Sequence, residues 1–359
     1  MKRSICILVI LIATVMLLSI LAGCGQKNNQ VATPEKTPAK KIITVNDLKG
    51  RQVEVKAPPE RVIVLQTSNG VLTEIIKALG VEKTVVGVND KTKTETKWPS
   101  YVLSVPSVGE TGTPDLEKII SLKPDLIIAW DFKPEVLTKF EQADIPVVLG
   151  YGMGAKKLLP SITSLGQIFN QEKRANELLG YIEKQYQAVN ERIKGLSPGQ
   201  KPKVYLEGPG EWMTYGQDRE ETRLIEMAGG TSIIKENTSG HPVINSEWVL
   251  KENPDVIIKF VWKSDQMGFD VTNTASLKAI YEEICSRPGL KDTKAVKNNR
   301  VYIMGNFMTT PRNAAGIWYL ARWLHPDLFK DINPEAIHRE ILKKFCNEEL
   351  RGTWVYPEK

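Results

Sequence analysis

A helix–strand unit occurs twice in this 359-residue chain, 130 residues apart, and that duplication constrains the fold more than any other feature. Asp115-Leu116-Glu117-Lys118-Ile119-Ile120-Ser121-Leu122-Lys123-Pro124-Asp125-Leu126-Ile127-Ile128 aligns without gaps on Asn245-Ser246-Glu247-Trp248-Val249-Leu250-Lys251-Glu252-Asn253-Pro254-Asp255-Val256-Ile257-Ile258. Each copy reads as a helix of about two turns, stopped before proline, that feeds a buried strand. Short β-branched runs at 62–65, 84–88, 125–129 and 146–149 alternate with helical periodicities, and the pattern returns at 203–206, 255–258 and 300–303. Such alternation predicts βα units around buried, mostly parallel sheets.

Between the two series, Ile162, Leu165, Phe169, Leu178, Ile182, Tyr186, Val189 and Ile193 recur at three- and four-residue steps among charged and amide side chains. The spacing predicts one helix from about Pro160 to Leu196, some 35 residues and near 50 Å long, with Asn170 the candidate for a break. Gly195, Pro198 and Gly199 supply its stop. The expected architecture is therefore α/β: two Rossmann-like lobes, over 42–157 and 198–359, joined by one long α-helix over 158–197, with a ligand cleft between the lobes.

The N-terminus carries an address. A cationic Met1-Lys2-Arg3 head, an apolar stretch from Ile5 to Leu21 and small residues before a boundary form a secretory signal. Leu21-Ala22-Gly23-Cys24 resembles the bacterial lipoprotein signal at every position, which implies cleavage after residue 23 and a lipid on Cys24. An uncleaved anchor is the alternative, since about 18 apolar residues can just span a bilayer. Residues 24–41 are polar and Pro-bearing, and read as a flexible tether. The expected location is thus extracytoplasmic, lipid-anchored to a membrane. Charge excludes a nucleic-acid partner: without Lys2 and Arg3, 46 basic residues face 42 acidic ones.

Ligands of open α/β sheets bind outside the carboxyl ends of the strands, so residues just past each run are the candidates. In the first half these are Ser68, Asn69, Trp130 and Tyr151; in the second, Trp212, Tyr215, Trp262, Phe307, Met308 and Arg312. Trp, Tyr and Met suit a large, planar or chelate ligand, and Arg312 would offer a planar fork to an anionic group. The Gly-rich stretch 208–216 has no phosphate-loop lysine and reads as an irregular loop presenting aromatics. Capture of a bare metal is disfavoured, because only His241, His325 and His338 exist and none has ligand spacing; no intrinsic cofactor is expected. Catalysis is disfavoured too, for no nucleophile elbow or triad can be assembled. Cys285 and Cys346 could pair or remain thiols, and the sequence leaves this open.

Lipobox, tether, the Ile43-Thr44-Val45-Asn46-Asp47-Leu48-Lys49-Gly50-Arg51 opening, the Pro58-Pro59-Glu60-Arg61 entry to the first core strand and the duplicated unit together resemble the helix-linked substrate-binding proteins of ABC importers. That family delivers iron(III)-siderophores, haem and cobalamin, and the resemblance covers about residues 42–347. It implies a monomeric receptor that takes a small-molecule metal chelate or tetrapyrrole to a permease dimer, with siderophore or haem the first expectation and a corrinoid the alternative. It also implies that Glu117 and Glu247, one on each lobe, dock on the permease. Taken alone, each glutamate is equally well explained by favourable charge at a helix N-terminus.

Overall fold

A computed structural model describes residues 40–357 except 67–69, 97, 153–155, 235–236 and 306. Cys24, Ser68 and Asn69 therefore lie outside the described residues. The chain opens with an antiparallel hairpin, β1 (Lys41–Asn46) on β2 (Gln52–Ala57), with Lys41 opposite Ala57. Behind it stands a four-stranded parallel sheet ordered β4-β3-β7-β8, built from β3 (Val62–Leu65), β4 (Val85–Val88), β7 (Leu126–Ala129) and β8 (Val147–Val148). A two-residue pair, β5 (Gly109–Glu110) with β6 (Thr113–Pro114), precedes the first copy of the repeat.

The second half forms its own sheet, ordered β10-β9-β11-β12-β13. Its strands are β9 (Lys203–Glu207), β10 (Thr231–Ser232), β11 (Val256–Val261), β12 (Val301–Gly305) and the antiparallel edge β13 (Val355–Tyr356). Every residue of β3, β7 and β11 is buried, as strands covered on both faces require. Helices α1 (Val71–Leu79), α2 (Leu116–Ser121) and α3 (Pro134–Gln142) serve the first sheet. Between the sheets run α4 (Leu158–Ile168) and α5 (Glu172–Ile193). Serving the second are α6 (Glu220–Met227), α7 (Ser246–Glu252), α8 (Ala275–Ser286), α9 (Lys294–Lys297), α10 (Asn313–Leu324) and α11 (Pro334–Ile341).

The single rod expected over 160–196 is instead two helices. Asn170 takes the left-handed conformation (φ 53°), which ends α4, and the chain turns before α5 begins. The two then pack closely: a Cβ on Gly166 would lie 2.5 Å from the Cβ of Ala175, so only glycine fits there. α5, 22 residues or about 33 Å, carries the second part of the expected apolar stripe, with Leu178, Ile182, Tyr186, Val189 and Ile193 all buried, and α4 carries the first with buried Ile162 and Leu165. It packs on α4 and α1 of the first half and on α10 of the second. One continuous apolar core results, running from Val62 and Ile75 through α4 and α5 to Phe260 and Ile317. Cys285 and Cys346 are free thiols, and burial pushes the Cys346 thiol far up from its ordinary value.

Candidate functional site

The two copies of the repeat are superposable in their local chemistry. Asp115 caps α2 by accepting from the Lys118 amide at 3.0 Å, and Asn245 caps α7 by accepting from the Trp248 amide at 2.7 Å. Lys123 and Asn253 both end their helices with φ 48°. The next aspartates then bind the adjacent strand reciprocally. Arg61 N donates to Asp125 Oδ1 at 2.9 Å and Lys203 N to Asp255 Oδ2 at 2.9 Å, while each aspartate amide donates back to the same residue's carbonyl. Glu117 and Glu247 sit one position into their helices, exposed. One turn further on, Ile120 and Leu250 are exposed as well, at 47% and 41%, although large aliphatic groups usually seek cover. Each half thus presents a carboxylate and an aliphatic side chain on a rigid, capped helix.

At the carboxyl ends of the second sheet, the structure brings Tyr215 and Trp262 together. The Tyr215 ring meets Phe260 and His241 edge-on at 5.3 Å each, and His241 meets Trp262 at 5.8 Å. Arg219 and Glu221, at the start of α6, complete this wall with a loose pair at 3.9 Å. Tyr215 Oη, His241 Nε2, Trp262 Nε1, Arg219 Nε and Glu221 Oε2 are buried atoms without hydrogen-bond partners of normal geometry among the described residues. Burial lowers the His241 pKa, with Arg219 acting in the same direction, and burial raises those of Tyr215 and Glu221. Arg219 Nε and Glu221 Oε2 face each other, and Trp262 lies as a donor toward the Tyr215 hydroxyl, so the wall holds two loose polar pairs whose burial costs more than closer geometry would.

The other candidates lie elsewhere. Trp212, held at φ 58°, packs beneath the Arg287 guanidinium at 5.1 Å in the separate cluster of Tyr205, Ile257 and Ile284, away from Tyr215 and Trp262. Tyr151 is buried and hydrogen-bonded at 2.6 Å to Ser164 of α4, with burial raising its pKa to about 12. Trp130 is half-buried under the Lys49 ammonium at 5.3 Å. Arg312 does not present an open fork. It is buried, its Nε donates to Glu74 Oε2 of α1 at 3.0 Å, and Trp354 and Trp98 lie 4.4 and 4.6 Å from its guanidinium carbon. Phe307 and Met308 are buried in the core beneath it.

Sequence reasoning missed Glu74, Trp98, Arg219 and Glu221. Glu74 alone left a signal, as an acid inside the apolar stripe Val71, Leu72, Ile75, Ile76 and Leu79. It also missed the charge hub that shapes the 208–216 loop. Buried Glu207 accepts from the Trp212 amide at 2.9 Å, pairs with Arg287, and faces Lys259 at 3.2 Å. Among the described residues no group of three or more His, Cys, Asp or Glu could hold a metal ion.

A match to the periplasmic binding protein family spans residues 62–306, from β3 to β12. The chain belongs to that family. It is a transport solute-binding protein and not an enzyme. This binding protein is 28% identical over 333 residues to the ABC transporter substrate-binding lipoprotein YvrC of Bacillus subtilis, covering 90% of this chain and 97% of that one. It is 26% identical to the haem uptake protein IsdE of Staphylococcus aureus over 57% of this chain and 68% of IsdE. The solved structure of the molybdate periplasmic binding protein MolA of Haemophilus influenzae, bound to molybdate, matches at a TM-score of 0.73 and 20% identity, covering 86% of this chain and 99% of MolA. No helix among the described residues is long and apolar enough to cross a membrane.

Proposed function

We propose that this protein is the lipid-anchored, monomeric receptor of an ABC importer, tethered through Cys24 and residues 24–41, and that it hands a chelated iron complex to a permease dimer. The observation that carries the reading is the pair of equivalent capped helices, each exposing a carboxylate, Glu117 on one lobe and Glu247 on the other. Two separated acids on a rigid frame fix orientation on a two-fold partner through charge-assisted pairs. The exposed Ile120 and Leu250 beside them would add apolar contact at the same two points. Replacing both glutamates by alanine should abolish uptake in cells and leave cargo affinity unchanged; lost affinity would place those residues in the cleft.

For cargo, the aromatic wall of Tyr215, Phe260, His241 and Trp262 favours a large chelate with planar or aromatic parts, a siderophore or haem, with a corrinoid as the alternative. IsdE is a haem uptake protein, which supports this. Ser68, Asn69 and Trp130 of the first lobe remain proposed cargo contacts. Tyr151, Trp212 and Arg312 would then act from behind, by shaping the loops and lobes that carry them. A second reading, a small oxyanion, is favoured by the cationic Arg219 beside the Trp262 and Tyr215 donors, and MolA binds molybdate. Titration with haem, a ferric catecholate siderophore, cobalamin and molybdate separates the two, read by tryptophan emission and melting temperature. A rise with molybdate alone overturns the chelate reading, and no response to any of the four overturns both.

A further inference from the structure

We propose that Glu74 and Arg312 form a latch that holds the two lobes at one separation and must release before the cleft can open. Glu74 belongs to α1, which follows the central strand β3 of the first sheet. Arg312 stands at the start of α10, which follows β12 of the second. Their ion pair, Nε to Oε2 at 3.0 Å, therefore crosses from lobe to lobe at the carboxyl ends of both sheets, with the two side chains only 6% and 1% exposed.

The surroundings are built from both sides. Trp98 comes from the first lobe, and Trp354, Phe307 and Phe269 come from the second. The four rings lie 4.4 to 5.9 Å from the Arg312 guanidinium carbon. Trp98 also stacks across the lobe boundary on Phe269, centroids 4.9 Å apart and planes 19° from parallel. A guanidinium suits such a cage, because its flat face tolerates aromatic contact while its edge keeps a hydrogen bond. The cage also fills the space a cargo group would need in order to reach Arg312.

The guanidinium pair uses one prong, with Glu74 Oε1 and Arg312 Nη1 buried without partners of normal geometry among the described residues, while the Thr310 side chain and the Arg312 backbone also favour the Glu74 carboxylate. Rupture would leave the Glu74 carboxylate buried without its cation while Arg312 keeps only its aromatic cage, so the joint opens rarely and as a unit.

Hydrogen–deuterium exchange on the full chain without cargo tests the latch. In Glu74→Gln, segments 71–79 and 307–316 should exchange about tenfold faster or more, while 126–129 and 256–261 keep wild-type rates. Trp98→Leu, which keeps the ion pair and removes the cross-lobe stack, should accelerate the same two segments less. X-ray scattering should give a larger radius of gyration for Glu74→Gln. Uniform acceleration along the chain would make the pair a general stabiliser and overturn the proposal, as would unchanged exchange. Unchanged exchange with tighter haem binding would instead show Glu74 standing in for an anionic cargo group. The exchange and scattering readouts do not depend on the cargo assignment, so that reading can fail while the latch stands.

Discussion

The two lobes share a frame but differ in what holds the loop after the strand that pairs with the repeat. In the first lobe the holder is neutral. Gln66, just past β3, accepts from the Leu72 and Thr73 amides at 2.8 and 3.2 Å and donates to the Thr73 and Thr92 hydroxyls. In the second it is ionic, with Glu207 at the end of β9 buried among Arg287, Lys259 and the Trp212 amide. An amide places a backbone by direction alone and costs little to bury once satisfied. The buried Glu207 carboxylate is met by two cations, which fix distant parts of the lobe: Arg287 lies just past α8, and Lys259 on β11. The second lobe is therefore the more tightly cross-linked and the more exposed to electrostatic damage.

The sharpest way to break this contrast is Glu207→Ala. It leaves Lys259 without a carboxylate and Arg287 with Glu283 alone, and urea unfolding should show a loss of about 3–5 kcal/mol, with Trp212 emission shifting because its loop loses its anchor. Gln66→Ala, the first-lobe counterpart, should cost about 1–3 kcal/mol in the same assay, since it leaves neutral amides unpaired. If the two variants cost the same, the charge difference between the hubs carries no consequence.

Acid should separate the lobes as well, because all three histidines belong to the second. Burial drives the pKa values of His338 and His325 below the ordinary value, for His338 far below it. The unfolded chain, with histidines near 6.5, binds more protons than the folded one as pH falls past that point, so stability drops from pH 7.5 to 5.5. Glu74 and Glu221 work in the opposite sense, since their raised values favour the folded state toward acid. His338→Leu should therefore show a shallower loss over that interval than the wild type, and an unchanged slope would remove His338 from the account. Smaller again are the helix caps. Asp115→Ala and Asn245→Ala should each cost about 1 kcal/mol, and equal costs would confirm that the repeat is energetically as well as geometrically duplicated.

Much of this was legible in the residues. Periodicity exposes a buried strand or an amphipathic helix because burial acts on each side chain through its own position in the repeat, and so β3, β7, β9, β11 and the stripe on α5 were readable. The 130-residue repeat was readable for the same reason, down to the prolines that end its helices. The break in the linking helix was only half readable: asparagine tolerates a left-handed turn, but Gly166 against Ala175 is what makes the turn worth taking.

The site was legible by region and not by partner. Position after a strand led to Tyr215 and Trp262, which do meet, and equally to Trp212 and Arg312, whose surroundings are set by Arg287 and by Glu74. Those partners lie 75 and 238 residues away along the chain. The sequence alone determined two α/β halves, a helical joint between them and two matching acidic helices, because each follows from local spacing and burial. Only the tertiary structure decided which charged groups are paired inside the protein and which stay exposed. A side chain's partner across a folded interface depends on distance and desolvation, and neither is written in the order of the residues.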